Sequence, residues 1–128
     1  MNAELLAKFE AEVLGWSSVE KETREDGIVG DGEAAIYRFG KRHIGHIHHD
    51  GVADIELTRE VRDGIVASGR AEPHRGGFPK VVSFRIKTPE DIPELVELFR
   101  MGYERAEAAA ERRAGHTNLR RENISWKK

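Results

Sequence analysis

Two short turns constrain this chain more than any other feature. Gly40-Lys41 and Asp50-Gly51 separate three runs in which side-chain character alternates residue by residue. The first run, about Glu33 to Phe39, sets Ala35, Tyr37 and Phe39 against Ala34, Ile36 and Arg38. The second spans about Arg42 to His49. The third sets Ala53, Ile55 and Leu57 against Asp54 and Glu56. A period of two is that of a strand. So short a connection joins only antiparallel neighbours. Residues 33–57 are therefore expected to form an antiparallel meander with one packed face and one that can carry polar groups.

The flanking segments read as helices and further strands. Leu5, Leu6, Phe9 and Val13 recur at helical spacing, and Gly15 is the expected stop. Trp16 and Val19 lead into a strand, about Val19 to Arg24, before the turn signals Asp26-Gly27 and Gly30-Asp31-Gly32. Thr58 is placed to cap a short helix running to about Ser68, with Val61 and Ile65 toward the core. Arg70 to Pro79 holds Gly76, Gly77 and two prolines and reads as loop. Lys80 to Lys87 is a strand with Val82, Phe84 and Ile86 on one face.

Thr88-Pro89-Glu90-Asp91 is the clearest helix start, with a cap, a proline at the first position and acids at the positive end of the dipole. Ile92, Leu95, Phe99, Tyr103 and Ala106 form the buried stripe of that helix, which is expected to reach about Ala114 and stop at Gly115. The expectation is a two-layer α+β fold. An antiparallel sheet of about four to five strands carries an N-terminal helix, a short middle helix and a long C-terminal helix. Residues 1–115 form the domain, and 116–128 a polar tail in which Ile124 and Trp126 are able to dock on the body.

With 128 residues there is enough chain for one core without covalent staples. Cysteine is absent, which excludes disulfides, thiolate metal sites and cysteine nucleophiles. The first residues mix acids with apolar side chains, unlike a signal peptide. No apolar run approaches the roughly 20 residues of a membrane span. These features place the chain in the cytoplasm, with no membrane partner expected. The net charge of −2 disfavours a dedicated nucleic-acid binder.

The unusual segment is His43-Ile44-Gly45-His46-Ile47-His48-His49-Asp50, which holds four of the six histidines. On a strand His46 and His48 share a face, where two imidazoles can hold one divalent metal, with Asp50, Asp54 or His74 completing the shell. The alternative is a polar face whose rings bond one another and nearby carboxylates. His43 and His49 point to the opposite face unless a bulge intervenes. If His46 and His48 are buried together and neutral, stability should weaken below about pH 6, because the protonated rings repel.

The second polar segment is the loop from Gly69 to Lys80. Arg70, His74, Arg75 and Lys80 are able to hold a carboxylate or phosphate, or merely to be solvated. Gly76-Gly77 lacks the Gly-Lys-Ser/Thr ending of a phosphate loop. Ser83 has no nucleophile-elbow context. The acid pairs Glu25/Asp26 and Glu90/Asp91 read as solvated or capping groups. Arg112-Arg113, Arg120-Arg121 and Lys127-Lys128 make the C-terminal end basic without an aromatic platform for bases.

Several segments taken together resemble a known family. They are Phe39-Gly40, Gly45-His46-Ile47-His48-His49-Asp50-Gly51, Asp54, Arg62-Asp63, Ser68-Gly69-Arg70-Ala71-Glu72-Pro73-His74, Val82-Ser83-Phe84-Arg85-Ile86 and Leu98-Phe99-Arg100-Met101-Gly102-Tyr103. Over about Glu33 to Ala106 the chain resembles the small "luciferase domain" family of bacteria and fungi. That name implies no light-producing chemistry. The order of elements is also similar to MmcQ/YjbR-like proteins, small α+β domains related to double-wing nucleic-acid-binding folds. Both groups tend to carry a tryptophan at the start of the last strand, where this chain reads Lys80-Val81-Val82. The luciferase-domain pattern marks His46, His48, Asp50, Asp54, Arg70 and His74. Convergence of His46, His48 and His74 is the sharpest structural expectation.

Three functions remain at this level. The first is an accessory binding module whose His/Arg/Asp cluster contacts a small anionic ligand or a protein partner. The second is a metal-binding protein or metal-dependent enzyme using His46, His48 and His74. The third is a nucleic-acid-binding module using the Arg70–Lys80 loop and the basic end. Oligomeric state is open, with Ile28, Val29, Trp126 and the last helix as interface candidates.

Overall fold

The computed structural model describes residues 1–126, with side chains for residues 1–114. In chain order the elements are α1 (Ala3–Val13), β1 (Val19–Glu25), β2 (Glu33–Phe39), β3 (Arg42–Ile47), β4 (Val52–Glu56), α2 (Arg59–Ala67), β5 (Glu72–Pro73), β6 (Val81–Arg85) and α3 (Ile92–Trp126), the last preceded by a 3₁₀ turn at Pro89–Asp91. The six strands form one sheet in the order β1-β2-β3-β4-β6-β5, and every neighbouring pair is antiparallel. The fold is α+β, as expected. Its sixth strand is the two-residue β5, which is too short to announce itself in a loop rich in glycine and proline.

The core lies between the sheet and the helices α1 and α3. Phe9 of α1, Tyr37 of β2 and Phe99 of α3 are fully buried. Their rings meet edge to face, Phe9 to Phe99 at 4.7 Å, Phe9 to Tyr37 at 5.3 Å and Tyr37 to Phe99 at 5.6 Å. Such pairs prefer this geometry because the positive ring edge meets the negative face. The expected stripe of α3, Ile92, Leu95, Phe99, Tyr103 and Ala106, is buried throughout. Asp91 opens the helix by accepting from the backbone N–H groups of Lys87 and Thr88 at 2.8 and 2.9 Å.

Two glycines let α3 lie close to the sheet. A Cβ on Gly45 would come within 2.7 Å of the Asp54 carbonyl oxygen and 2.9 Å of the Phe99 ring. A Cβ on Gly102 would come within 3.0 Å of Ile55 and 3.2 Å of the Glu56 carbonyl oxygen. Because Gly45 and Ile55 face α3, their strand neighbours His46 and Asp54 face the other way.

Two expectations fail. Val61 does not face the core but is 42% exposed, while Ile65 on the same helix is buried. Only the C-terminal part of α2, with Ile65 and Val66, reaches the packed interior. Gly115 does not stop α3, which continues to Trp126. A glycine inside a helix costs about 1 kcal/mol relative to alanine, and ends the helix only when it takes up a left-handed cap. The expected docking of Ile124 and Trp126, and the side chains of the 116–128 tail, lie outside the described residues. Among the described residues no helix is long and apolar enough to cross a membrane.

Candidate metal centre

The strand register puts one polar row across the face turned away from α3. Ile36 pairs with His46, His46 with Asp54 and Asp54 with Ser83. His48 follows two residues after His46 on the same face. The Asp26 loop and the loop carrying His74 fold over this row from either side.

Asp54 is the hub. It is fully buried, and its Oδ2 lies 3.0 Å from His46 Nε2, 2.8 Å from His48 Nε2 and 3.5 Å from His74 Nε2. The His46 and His48 Nε2 atoms are themselves 3.1 Å apart. Ser83 donates its hydroxyl to Asp54 Oδ1 at 2.6 Å. His46, His48 and His74 thus gather around a single carboxylate oxygen. His46, His48 and Asp54 are a group able to share one cation.

Each ring is oriented from behind. His48 Nδ1 lies 2.8 Å from the carboxylate of Asp26, which also accepts from the backbone N–H of Ile28 at 3.0 Å. His46 Nδ1 lies 3.0 Å from His43 Nε2, and His43 Nδ1 lies 3.2 Å from Glu56. Glu56 is in turn within 3.4 Å of the Arg105 guanidinium. Carboxylates behind imidazoles in this way orient the rings, and with a cation bound they would fix the tautomer with the lone pair on Nε2, as in metal sites.

This geometry leaves the centre short of positive charge. His48 sits between two buried carboxylates, each 2.8 Å away. A neutral ring has one N–H and satisfies only one of them. The other nitrogen then presents a lone pair to an anionic oxygen. A second proton on the ring or a cation between the ligand atoms resolves the conflict. His74 differs, because the Gly76 N–H donates to its Nδ1 at 2.9 Å. Its proton therefore lies on Nε2 and points at Asp54, which suits a donor to the carboxylate rather than a metal ligand.

His43 corrects the sequence reading. It was expected on the opposite face, but the β2–β3 register shifts between Tyr37, opposite Gly45, and Arg38, opposite His43. The extra residue in β3 is Ile44, and the bulge returns His43 to the face of His46. His49 stays apart, with its Nε2 3.1 Å from the Val29 carbonyl oxygen. Asp26 is a partial correction: it caps its turn by accepting from the Ile28 and Val29 N–H groups, as the capping reading allowed, but it is 2% exposed and held against His48 rather than solvated. The Asp26-Gly27 pair signals the turn, but nothing local signals a partner 22 residues away.

The remaining marked residues take other places. Asp50 accepts from the Val52 N–H at 3.0 Å and from Arg75 at 2.9 Å, so it shapes the β3–β4 turn. Arg70 pairs with Glu94 at 2.8 Å and Glu97 at 3.2 Å on α3.

Burial acts to raise the Asp54 carboxyl, but hydrogen bonds from His46, Ser83 and His48 outweigh it and hold the group well below the usual carboxylate range. At Asp26 burial is likewise outweighed by the Ile28 N–H, His48 and the Val29 N–H. A depressed carboxyl stabilises the fold above its unfolded value of about 3.9, and that stability is lost as pH falls through the folded value. The main loss from these two carboxyls is therefore expected below about pH 4. Melting temperatures measured from pH 7 to pH 3 should stay level to about pH 5 and then fall steeply. A fall completed by pH 5.5 would contradict this account.

Fold and site together define a small α+β domain with a buried histidine–carboxylate centre on the helix-free side of its sheet. The Luciferase domain family model matches residues 41–102, almost half of the chain, in agreement with the sequence resemblance. The matched segment contains His43, His46, His48, Asp54 and His74 but not Asp26. No curated protein and no solved structure matches the chain significantly.

Proposed function

We propose that this domain binds one divalent metal ion through His46 Nε2, His48 Nε2 and Asp54 Oδ2. The observation that carries the reading is the mutual approach of these three atoms, at 2.8, 3.0 and 3.1 Å. Metal–ligand bonds of about 2.0–2.1 Å in a tetrahedron give ligand–ligand separations of about 3.3 Å. The triangle is therefore near the size a zinc-like ion needs. Two nitrogens and one oxygen suit a borderline ion such as Zn²⁺.

Three protein ligands leave a fourth position, as in sites where a metal holds water or substrate. His46 and His48 border a recess of about 200 Å³ whose walls include Ile28, Ala34 and Ile36. The open position would face that recess. His74, with its proton on Nε2, holds Asp54 from the other side.

Calorimetric titration of chelator-treated protein with Zn²⁺ tests this. One ion per chain is expected. His46→Gln should reduce affinity by well over tenfold, and Asp26→Asn, which disturbs only the orienting carboxylate, by about 10–100-fold. His74→Gln should change it much less. No zinc binding, or binding unchanged in His46→Gln, would leave the cluster as a metal-free hydrogen-bonded network. Circular dichroism of each variant checks that the fold is retained.

A further inference from the structure

A second cavity, of about 310 Å³, lies at the sheet edge beyond the end of β5, bounded by Arg70, Arg75, Arg85 and Lys87 together with Val52 and Phe84. The four cations come from separate parts of the chain and are not equivalent. Arg70 is fixed by Glu94 and Arg75 by Asp50. Among the described residues Arg85 and Lys87 have no ion-pair partner within 4.0 Å, and both are exposed. Of the two acids on the wall, Glu72 and Asp91, the Asp91 carboxylate is committed to the N–H groups of Lys87 and Thr88.

The backbone adds a donor. The Ile86 N–H bonds to the Gly51 carbonyl on the β4 side at 2.9 Å. By strand alternation the Arg85 N–H faces the opposite side. There β5 has ended, its pairing with β6 covering only Ser83 and Val82. That N–H therefore points toward the cavity that Arg85 and Lys87 line.

We infer that this cavity binds a small phosphomonoester, with Arg85, Lys87 and the Arg85 N–H on the phosphate and Val52, on the same face as Arg85, beside its apolar body. Two cations with no ion pair within 4.0 Å match a dianion, although Lys87 also feels the Asp91 carboxylate, and guanidinium geometry suits phosphate oxygens. The volume is at the lower end of small-molecule sites and exceeds what a bare phosphate fills. The pocket shares Ser83 with the metal cluster but none of its three proposed ligands, so the inference does not depend on the metal reading.

The test is calorimetric titration of the full chain, at fixed ionic strength, with phenyl phosphate, inorganic phosphate, succinate and a short single-stranded RNA. Phenyl phosphate is expected to bind more tightly than inorganic phosphate. The double variant Arg85→Gln/Lys87→Gln, both at exposed positions, should weaken it by at least about tenfold. Val52→Ala should narrow the gap between the two phosphates. The proposal is overturned if phenyl phosphate does not bind, if the double variant binds it equally well, if succinate binds as tightly, or if only the RNA binds and does so through Arg85 and Lys87.

Discussion

Asp54→Ala will destabilise the chelator-treated protein by about 3–5 kcal/mol, the range for removing one partner of a buried charge pair. The loss is large because one carboxylate serves many donors. Ser83 would lose its acceptor at Oδ1, and His46, His48 and His74 their common oxygen at Oδ2. His48 and Ser83 are buried and cannot turn to water for compensation. Each stranded polar group carries a desolvation cost of about 1–3 kcal/mol. Asp54→Asn keeps an oxygen and the shape of the side chain, so it should cost less stability while still weakening zinc binding. Urea denaturation of the three proteins gives the comparison directly. A loss under about 1 kcal/mol for Asp54→Ala would show that the cluster is not held together by this residue.

Phe99→Ala is expected to cost a similar amount, about 3–5 kcal/mol, by a different route. Phe99 is fully buried, its ring packs edge to face on Phe9 and Tyr37, and it stands over Gly45. Truncation removes the middle ring of the layer joining α1, α3 and the sheet. Neither α1 nor β2 can close the gap without losing its own contacts. Phe99→Leu should recover more than half of the loss. Denaturant midpoints with an unchanged slope would confirm a change in stability rather than in the unfolded chain.

The two substitutions also mark what the sequence made legible. The stripe containing Phe99, the alternation of β2 and β4 and the turns at Gly40-Lys41 and Asp50-Gly51 are local signals, and apart from the far end of α3 and the two-residue β5 the expected elements stand within a residue or two of those found. His46, His48 and Asp54 were legible as face-sharing candidates because strand alternation is strict. His43 and Asp26 were not. A bulge at Ile44 reverses the alternation without altering composition, and Asp26 reaches its imidazole only after a turn places β1 and β2 side by side. Val61 misled because its spacing from Ile65 gives a helix face but not how far the sheet extends beneath it.

Gly45 has a further consequence. A methyl group there would press on the Asp54 carbonyl as well as on the Phe99 ring of α3. The spacing of layers in the interior thus sets where the hub carboxylate stands on the far side of the sheet. Altering how tightly the helix lies on its support would retune the ligand triangle from behind, with none of its members exchanged.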